Sequence, residues 1–362
     1  MDEIYLHIGL HKTATKFYQH NVFPFLDKEN HIYNPPKLTQ YLMDYLKANK
    51  AEKDFIFKIF EEEKKDLLSL GKKILISREI MSGDLFSAYE NWSCQMESLN
   101  KLFPEAKIIV SLRYQPDWLL SCYRESIHEH HYQRIEDFLC IDNNTFLKPK
   151  DFKKINPHGF VRLYSLNLDY EKMLKKLFSF YETKKVLVLF FEDFKMNKKE
   201  QLKNVLDFIG STSIEIKSTS KIPNRGYSAN SIRMSLHRFN SLIGTKNENQ
   251  IHRPIHFFGP GSIPAGNIDL SILDKKKHWG NNFLRDNEEV RSANYPNISS
   301  EEKQNYLKSW RYKIKNVIDE VYYYDWDLLS EYREDLNSFY RQKNKNLVKI
   351  LHKVKVPDLY LK

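Results

Sequence analysis

A chain of 362 residues with 57 Lys and Arg against 47 Asp and Glu carries a formal net charge of +10. Its 41% hydrophobic and 14% aromatic content suffices for one large α/β domain with insertions or for two domains, with a core rich in Phe and Tyr. No run approaches the roughly 20 apolar residues that a membrane span needs, and the basic balance favours anionic partners such as nucleotide, phosphate, acidic glycan, nucleic acid or a membrane surface.

The chain opens on an apolar strand, Ile4–Ile8, with no basic segment before it. Three scattered cysteines, Cys94, Cys122 and Cys140, form no CxxC pair and suggest neither a disulfide framework nor a zinc site. Both features fit a cytoplasmic protein. A helix is expected over Thr13–Leu26 and another over Ala51–Leu70. Strand Lys73–Ser77 follows, then helix Trp92–Leu102, strand Ala106–Leu112, helix Pro116–His131, helix Tyr170–Tyr181 and strand Lys185–Phe191. The strands are continuous apolar runs rather than alternating ones, as in a parallel sheet buried on both faces. Their alternation with helices argues for βαβ units, whose ligands sit at the carboxyl ends of the strands. Helix Glu200–Gly210 ends on a glycine cap. Beyond Tyr227–Leu242, also helical in pattern, residues 245–300 are rich in Asn, Pro, Gly and His, and residues 301–345 are helical again. The expected layout is an α/β core over 1–244, an insertion or lid over 245–300, and a helical C-terminal part over 301–362.

Two segments place charge at strand ends. In Ile8-Gly9-Leu10-His11-Lys12-Thr13-Ala14-Thr15-Lys16 a strand runs through a turn into a helix, so backbone N–H groups, the Lys12 ammonium and the Thr13 and Thr15 hydroxyls are offered to an anion. The spacing is not the GxxxxGK[ST] of ordinary nucleotide triphosphatases. A helix start that binds nothing is the other reading. In the second segment Arg113 ends a buried strand, Pro116 and Asp117 open the next helix, and Ser121 lies one turn further on the same face. An Arg fork suits phosphate, and the alternative is an Arg spent on Asp117.

Together these segments resemble the family of sulfotransferases that use 3′-phosphoadenosine 5′-phosphosulfate (PAPS). The first is similar to its 5′-phosphosulfate loop and the second to its 3′-phosphate motif. Two further stretches match in order: Val186–Phe194 with Leu206–Gly210, and Asn224-Arg225-Gly226-Tyr227-Ser228 with Arg238 and Asn240. The end of the chain, Tyr340 with Asn344-Lys345-Asn346-Leu347, is similar to bacterial, carbohydrate-directed members. The chain departs from the pattern at Ala14, where the family has Gly, and at Lys16, where it has Thr.

The resemblance implies a P-loop-like parallel sheet flanked by helices. It also implies PAPS as co-substrate with no metal, held by Lys12, Thr13, Ala14, Thr15, Lys16, Arg113, Ser121, Arg225 and Gly226. The reaction would be in-line transfer of a sulfuryl group to a hydroxyl or amine of a glycan or glycolipid, with no nucleic-acid partner and with peripheral membrane contact left open. Lys12 would stabilise developing charge. The general base would be Glu79, directly after a strand in Ser77-Arg78-Glu79, with His11 as rival. A structural acid at a helix start is the other account of Glu79. His128 with His131, and His252, Arg253 and His256, are secondary candidates better read as exposed polar residues. A nucleotide kinase or hydrolase, with Glu192-Asp193 as its acidic strand end, and a non-catalytic binder of acidic polymers are the alternatives.

Overall fold

A computed structural model describes residues 3–128, 131–156, 159–211, 327–352 and 354–361, together with Ala229, Ile232 and Leu236. The chain forms two compact units. One comprises Met1–Leu119, Tyr164–Pro223 and Arg333–Lys362, and the other Leu120–Leu163 and Asn224–Tyr332. The boundaries expected at 244 and 300, and the 245–300 insertion itself, lie outside the described residues.

The first unit is built on a five-stranded sheet of β1 (Ile4–His7), β2 (His31–Tyr33), β3 (Lys73–Ser77), β4 (Lys107–Leu112) and β7 (Val186–Phe190), in the order β2-β3-β1-β4-β7. Every pairing is parallel. The strands read as unbroken apolar runs because helices cover both faces, and Leu6, Ile74, Leu75, Ile76, Ile108, Ile109 and Val110 are all buried. The helices are α1 (Thr15–Asn21), α2 (Pro36–Lys47), α3 (Lys50–Leu68), α4 (Trp92–Leu102), α7 (Tyr170–Phe178), α8 (Phe191–Met196), α9 (Lys198–Ile209), α10 (Arg333–Asn344) and α11 (Leu347–Ile350). Helix α5 (Gln115–His128) begins in this unit.

Local chemistry sets the helix ends. Asn49 caps α3 in a reciprocal box with Glu52, Asp169 caps α7 through the Lys172 N–H, and Gly210 closes α9 at φ 65°. The helix expected over Thr13–Leu26 starts two residues later and ends at Asn21, and Phe23–Phe25 continues as a 3-10 turn with Pro24 inside it. Among the elements that carried too little sequence signal to be expected are β2, a three-residue edge strand, and α2, which follows Pro35 and begins at Pro36. Lys64 lays its ammonium near the Phe60 and Phe103 rings and donates to Leu102 O at 2.9 Å.

Strand order decides where a ligand site belongs. From β1 the chain crosses left to β2, and from β4 it crosses right to β7. The adjacent strands β1 and β4 therefore open a crevice at their carboxyl ends, the usual ligand position in open α/β sheets. Residues 8–14 follow β1 and residues 113–114 follow β4.

The second unit, as described, holds the rest of α5, the short helix α6 (Ile135–Phe138) and a hairpin of β5 (Ile141–Asp142) and β6 (Thr145–Phe146). Tyr123 is buried with its hydroxyl on Gln133 O at 2.9 Å, and Leu163 N–H donates to Phe138 O at 2.7 Å.

Candidate active site

The loop after β1 is pinned at its base and twisted at its tip. Ile8 N–H donates to Ile109 O at 2.9 Å, which extends the β1–β4 ladder by one residue. Lys12 and Ala14 both adopt φ 67°, with Ala14 as the left-handed N-cap of α1. Left-handed residues spaced this way make a nest of backbone N–H groups that suits an anion.

The loop carbonyls are tied back into the protein. Leu10 O accepts from the Thr13 hydroxyl at 2.5 Å and from the Thr15 hydroxyl at 3.2 Å. His11 O accepts from Trp118 Nε1 at 3.1 Å, and Lys12 O from Arg113 Nη1 at 3.0 Å. Oxygens that would repel an anion are thereby occupied by donors. The His11 N–H donates to Tyr89 Oη at 2.8 Å, and the His11 ring stacks beside Tyr89 with its Nδ1 3.2 Å from the same oxygen.

Arg113 follows β4 directly, beside this loop. Its guanidinium lies over the Phe191 ring at 4.5 Å from the centroid, and Tyr170 Oη donates to its carbonyl at 2.5 Å. Asp117, the acid weighed as a partner for Arg113, accepts instead from Arg333 Nη1 at 2.6 Å. The Lys12 backbone and the Arg113 head group thus meet at the tips of adjacent strands.

No protein-family profile matches the sequence, and no curated protein matches it. Among solved structures, the chain is similar to a sulfotransferase from Alicyclobacillus acidocaldarius at 15% identity, covering 70% of this chain and 96% of that one with a TM-score of 0.41. It is also similar to a mouse sulfotransferase complexed with PAP (15% identity, 68% of each chain, TM-score 0.28). A retinol dehydratase complexed with retinol and PAP matches at 13% identity over 78% of this chain and 81% of that one, with a TM-score of 0.23. Scores this low carry no weight for function, which rests on the residues themselves.

Among the other expected site residues, Lys16 is exposed and Thr13 and Thr15 are buried. The two hydroxyl protons, expected to face a ligand, are directed at Leu10 O, because a free carbonyl in a buried loop is the nearest acceptor. Glu79 is half-buried and opens the 3-10 turn Glu79–Ser82 that follows β3, where its carbonyl accepts from the Ser82 hydroxyl at 2.6 Å. It therefore stands at the same edge of the sheet as Lys12, because β3 pairs with β1. Ser121 is half-buried on α5, in the second unit. Arg225, Gly226, Arg238, Asn240, His252, Arg253 and His256 lie outside the described residues.

Glu192 has a structural task. One oxygen accepts the Tyr114 N–H at 3.0 Å and the other the Tyr360 hydroxyl at 2.9 Å, and burial raises its pKa. Among the described residues, no group of three or more His, Cys, Asp or Glu comes together as a metal site. His131, weighed with His128 as a metal pair, faces the Phe160 ring edge-on, with the Val161 N–H 3.5 Å from its Nδ1.

The C-terminal Tyr-Asn-Leu pattern packs α10 and α11 onto the sheet unit. Tyr340 is buried with its hydroxyl on Ser165 O, and Asn344 exchanges two hydrogen bonds, at 2.8 and 3.0 Å, with Gln115 at the start of α5. Sequence reasoning missed His7, Tyr89, Gln19 and any part for Trp118. Trp118 lies inside the Arg113 segment. Tyr89 comes from a turn 78 residues away and left no local signal.

Proposed function

We propose that the protein is a PAPS-dependent sulfotransferase, with a hydroxyl of a glycan or glycolipid as acceptor. The observation that supports this best is the Arg113 Nη1 to Lys12 O contact of 3.0 Å, which holds a basic loop and a basic strand end together at the carboxyl edge of β1 and β4. One adenosine carrying phosphate at both its 3′ and 5′ positions matches two such neighbouring cationic sites. The loop amides, Lys12 and Thr15 would take the 5′-phosphosulfate, and Arg113 the 3′-phosphate.

In the reaction the acceptor oxygen forms a bond to sulfur while the bond from sulfur to the bridging oxygen breaks. That oxygen keeps the electron pair as adenosine 3′,5′-bisphosphate leaves. Lys12 and the loop N–H groups offset the growing negative charge. Glu79 takes the acceptor's proton, in keeping with its place two residues past the end of β3. The basic charge suits an acidic acceptor or a membrane-borne one.

Thermal unfolding with adenosine 3′,5′-bisphosphate, ADP and ATP tests this, since a ligand that binds only the native state raises its apparent stability. The bisphosphate is expected to stabilise without Mg²⁺, and Lys12→Ala or Arg113→Ala to remove that effect. A larger effect of ATP with Mg²⁺ would point to a kinase or hydrolase instead.

A further inference from the structure

His7, the last residue of β1, is wholly buried and packs edge-on against Tyr18 and Phe23, with centroids 5.5 and 5.1 Å away. Its Nδ1 lies 2.7 Å from Ser77 Oγ, which also accepts from Gln19 Nε2 at 3.2 Å. Its Nε2 is buried with no hydrogen-bond partner. That nitrogen looks toward the loop. A Cβ built at Gly9 would stand 3.0 Å from His7 Nε2 and 2.8 Å from Thr15 Oγ1, so the ring nitrogen and the hydroxyl both border the space left by the missing side chain.

A buried ring nitrogen left unmet is costly, and its retention calls for a task in another state of the site. Burial keeps the ring neutral, with its pKa lowered to about 3, so it carries a single N–H. Ser77 Oγ has one proton to give and already accepts from Gln19. If that proton goes to Nδ1, the ring's own sits on Nε2. The Thr15 hydroxyl shares Leu10 O with the Thr13 hydroxyl and holds it at the longer distance, so it is the one more easily released.

We infer that His7 is a positioning residue for Thr15: its Nε2–H holds the Thr15 oxygen when an anion enters the loop and so turns the Thr15 proton toward that anion. Gln19, Ser77, His7 and Thr15 then form one row of donors pointing the same way, each polarising the next. This role rests on the loop being the phosphate site proposed above.

Calorimetry with adenosine 3′,5′-bisphosphate on wild type, His7→Leu, Thr15→Ala and the double variant tests it. Each single variant is expected to weaken binding about tenfold or more, and the double variant to bind no worse than Thr15→Ala. His7→Gln, whose amide nitrogen can stand near the Nε2 position, is expected to restore most of the affinity. Nitrogen-15 NMR of the histidine-labelled wild type needs no variant. It is expected to show the Nε2–H tautomer, with that nitrogen's resonance moving on bisphosphate addition. Additive losses, unchanged binding by His7→Leu, or an Nδ1–H tautomer would overturn the role of His7 alone. A wild type that does not take up the bisphosphate would overturn the loop reading, and this role with it.

Discussion

Replacing Gly9 with alanine probes the floor of the loop. Gly9 does not need an unusual φ; it needs the absence of a side chain. The added methyl would meet Thr15 Oγ1 at 2.8 Å and His7 Nε2 at 3.0 Å. The backbone cannot easily move aside, because Ile8 is pinned to Ile109 O at 2.9 Å. The His7 ring cannot swing either, held by Ser77 at 2.7 Å and wedged between Tyr18 and Phe23. Thr15 must therefore rotate and give up its bond to Leu10 O. Overpacking of this kind costs about 1–3 kcal/mol. Removing one hydroxyl from a charged ligand weakens binding about tenfold or more. Urea unfolding of the ligand-free protein measures the first effect, and calorimetry with adenosine 3′,5′-bisphosphate the second. A Gly9→Ala variant with native stability and native affinity would refute the packing described for this loop.

Ala14→Gly is expected to stabilise the ligand-free protein by about 1 kcal/mol, since an alanine at φ 67° bears a left-handed strain that glycine does not; the urea midpoint checks this. Asn344→Ala is expected to cost about 1–3 kcal/mol by stranding the buried Gln115 amide, whereas Gln115→Leu with Asn344→Leu should cost less than Asn344→Ala, again by urea unfolding. His7 also sets a pH dependence. Its folded pKa of about 3 lies below the unfolded value near 6.5, so the unfolded chain takes up the extra proton as pH falls through that window and the folded state loses stability. His7→Gln is expected to remove about 1.4 kcal/mol per pH unit of that slope, read by comparing unfolding free energies at several pH values between 6 and about 3.5.

The sheet was legible in the sequence because buried parallel strands leave continuous apolar runs. Lys73–Ser77 is found as expected, and the other three strands differ only by a residue or two at their ends. Local signals also exposed the loop after β1, Arg113 at the end of β4, and the Gly210 cap. The edge strand β2 was hidden because three residues are too few to show a period, and α2 because its double proline reads as a break. The contacts that shape the site were hidden for another reason. Trp118, Arg113 and Tyr89 reach the loop across 78 to 107 positions of chain, and only the folded order of strands brings them there. The lone nitrogen of His7 is visible only once the bareness of Gly9 is seen beside it.

Binding of adenosine 3′,5′-bisphosphate, adenosine 5′-monophosphate and adenosine 3′-monophosphate to wild type, Lys12→Ala and Arg113→Ala tests the two-pocket account most directly. The bisphosphate should bind wild type far more tightly than either monophosphate. Arg113→Ala should hold the bisphosphate no better than wild type holds the 5′-monophosphate, and Lys12→Ala no better than wild type holds the 3′-monophosphate. Equal affinity for all three nucleotides, or variants that bind the bisphosphate like wild type, would contradict the account.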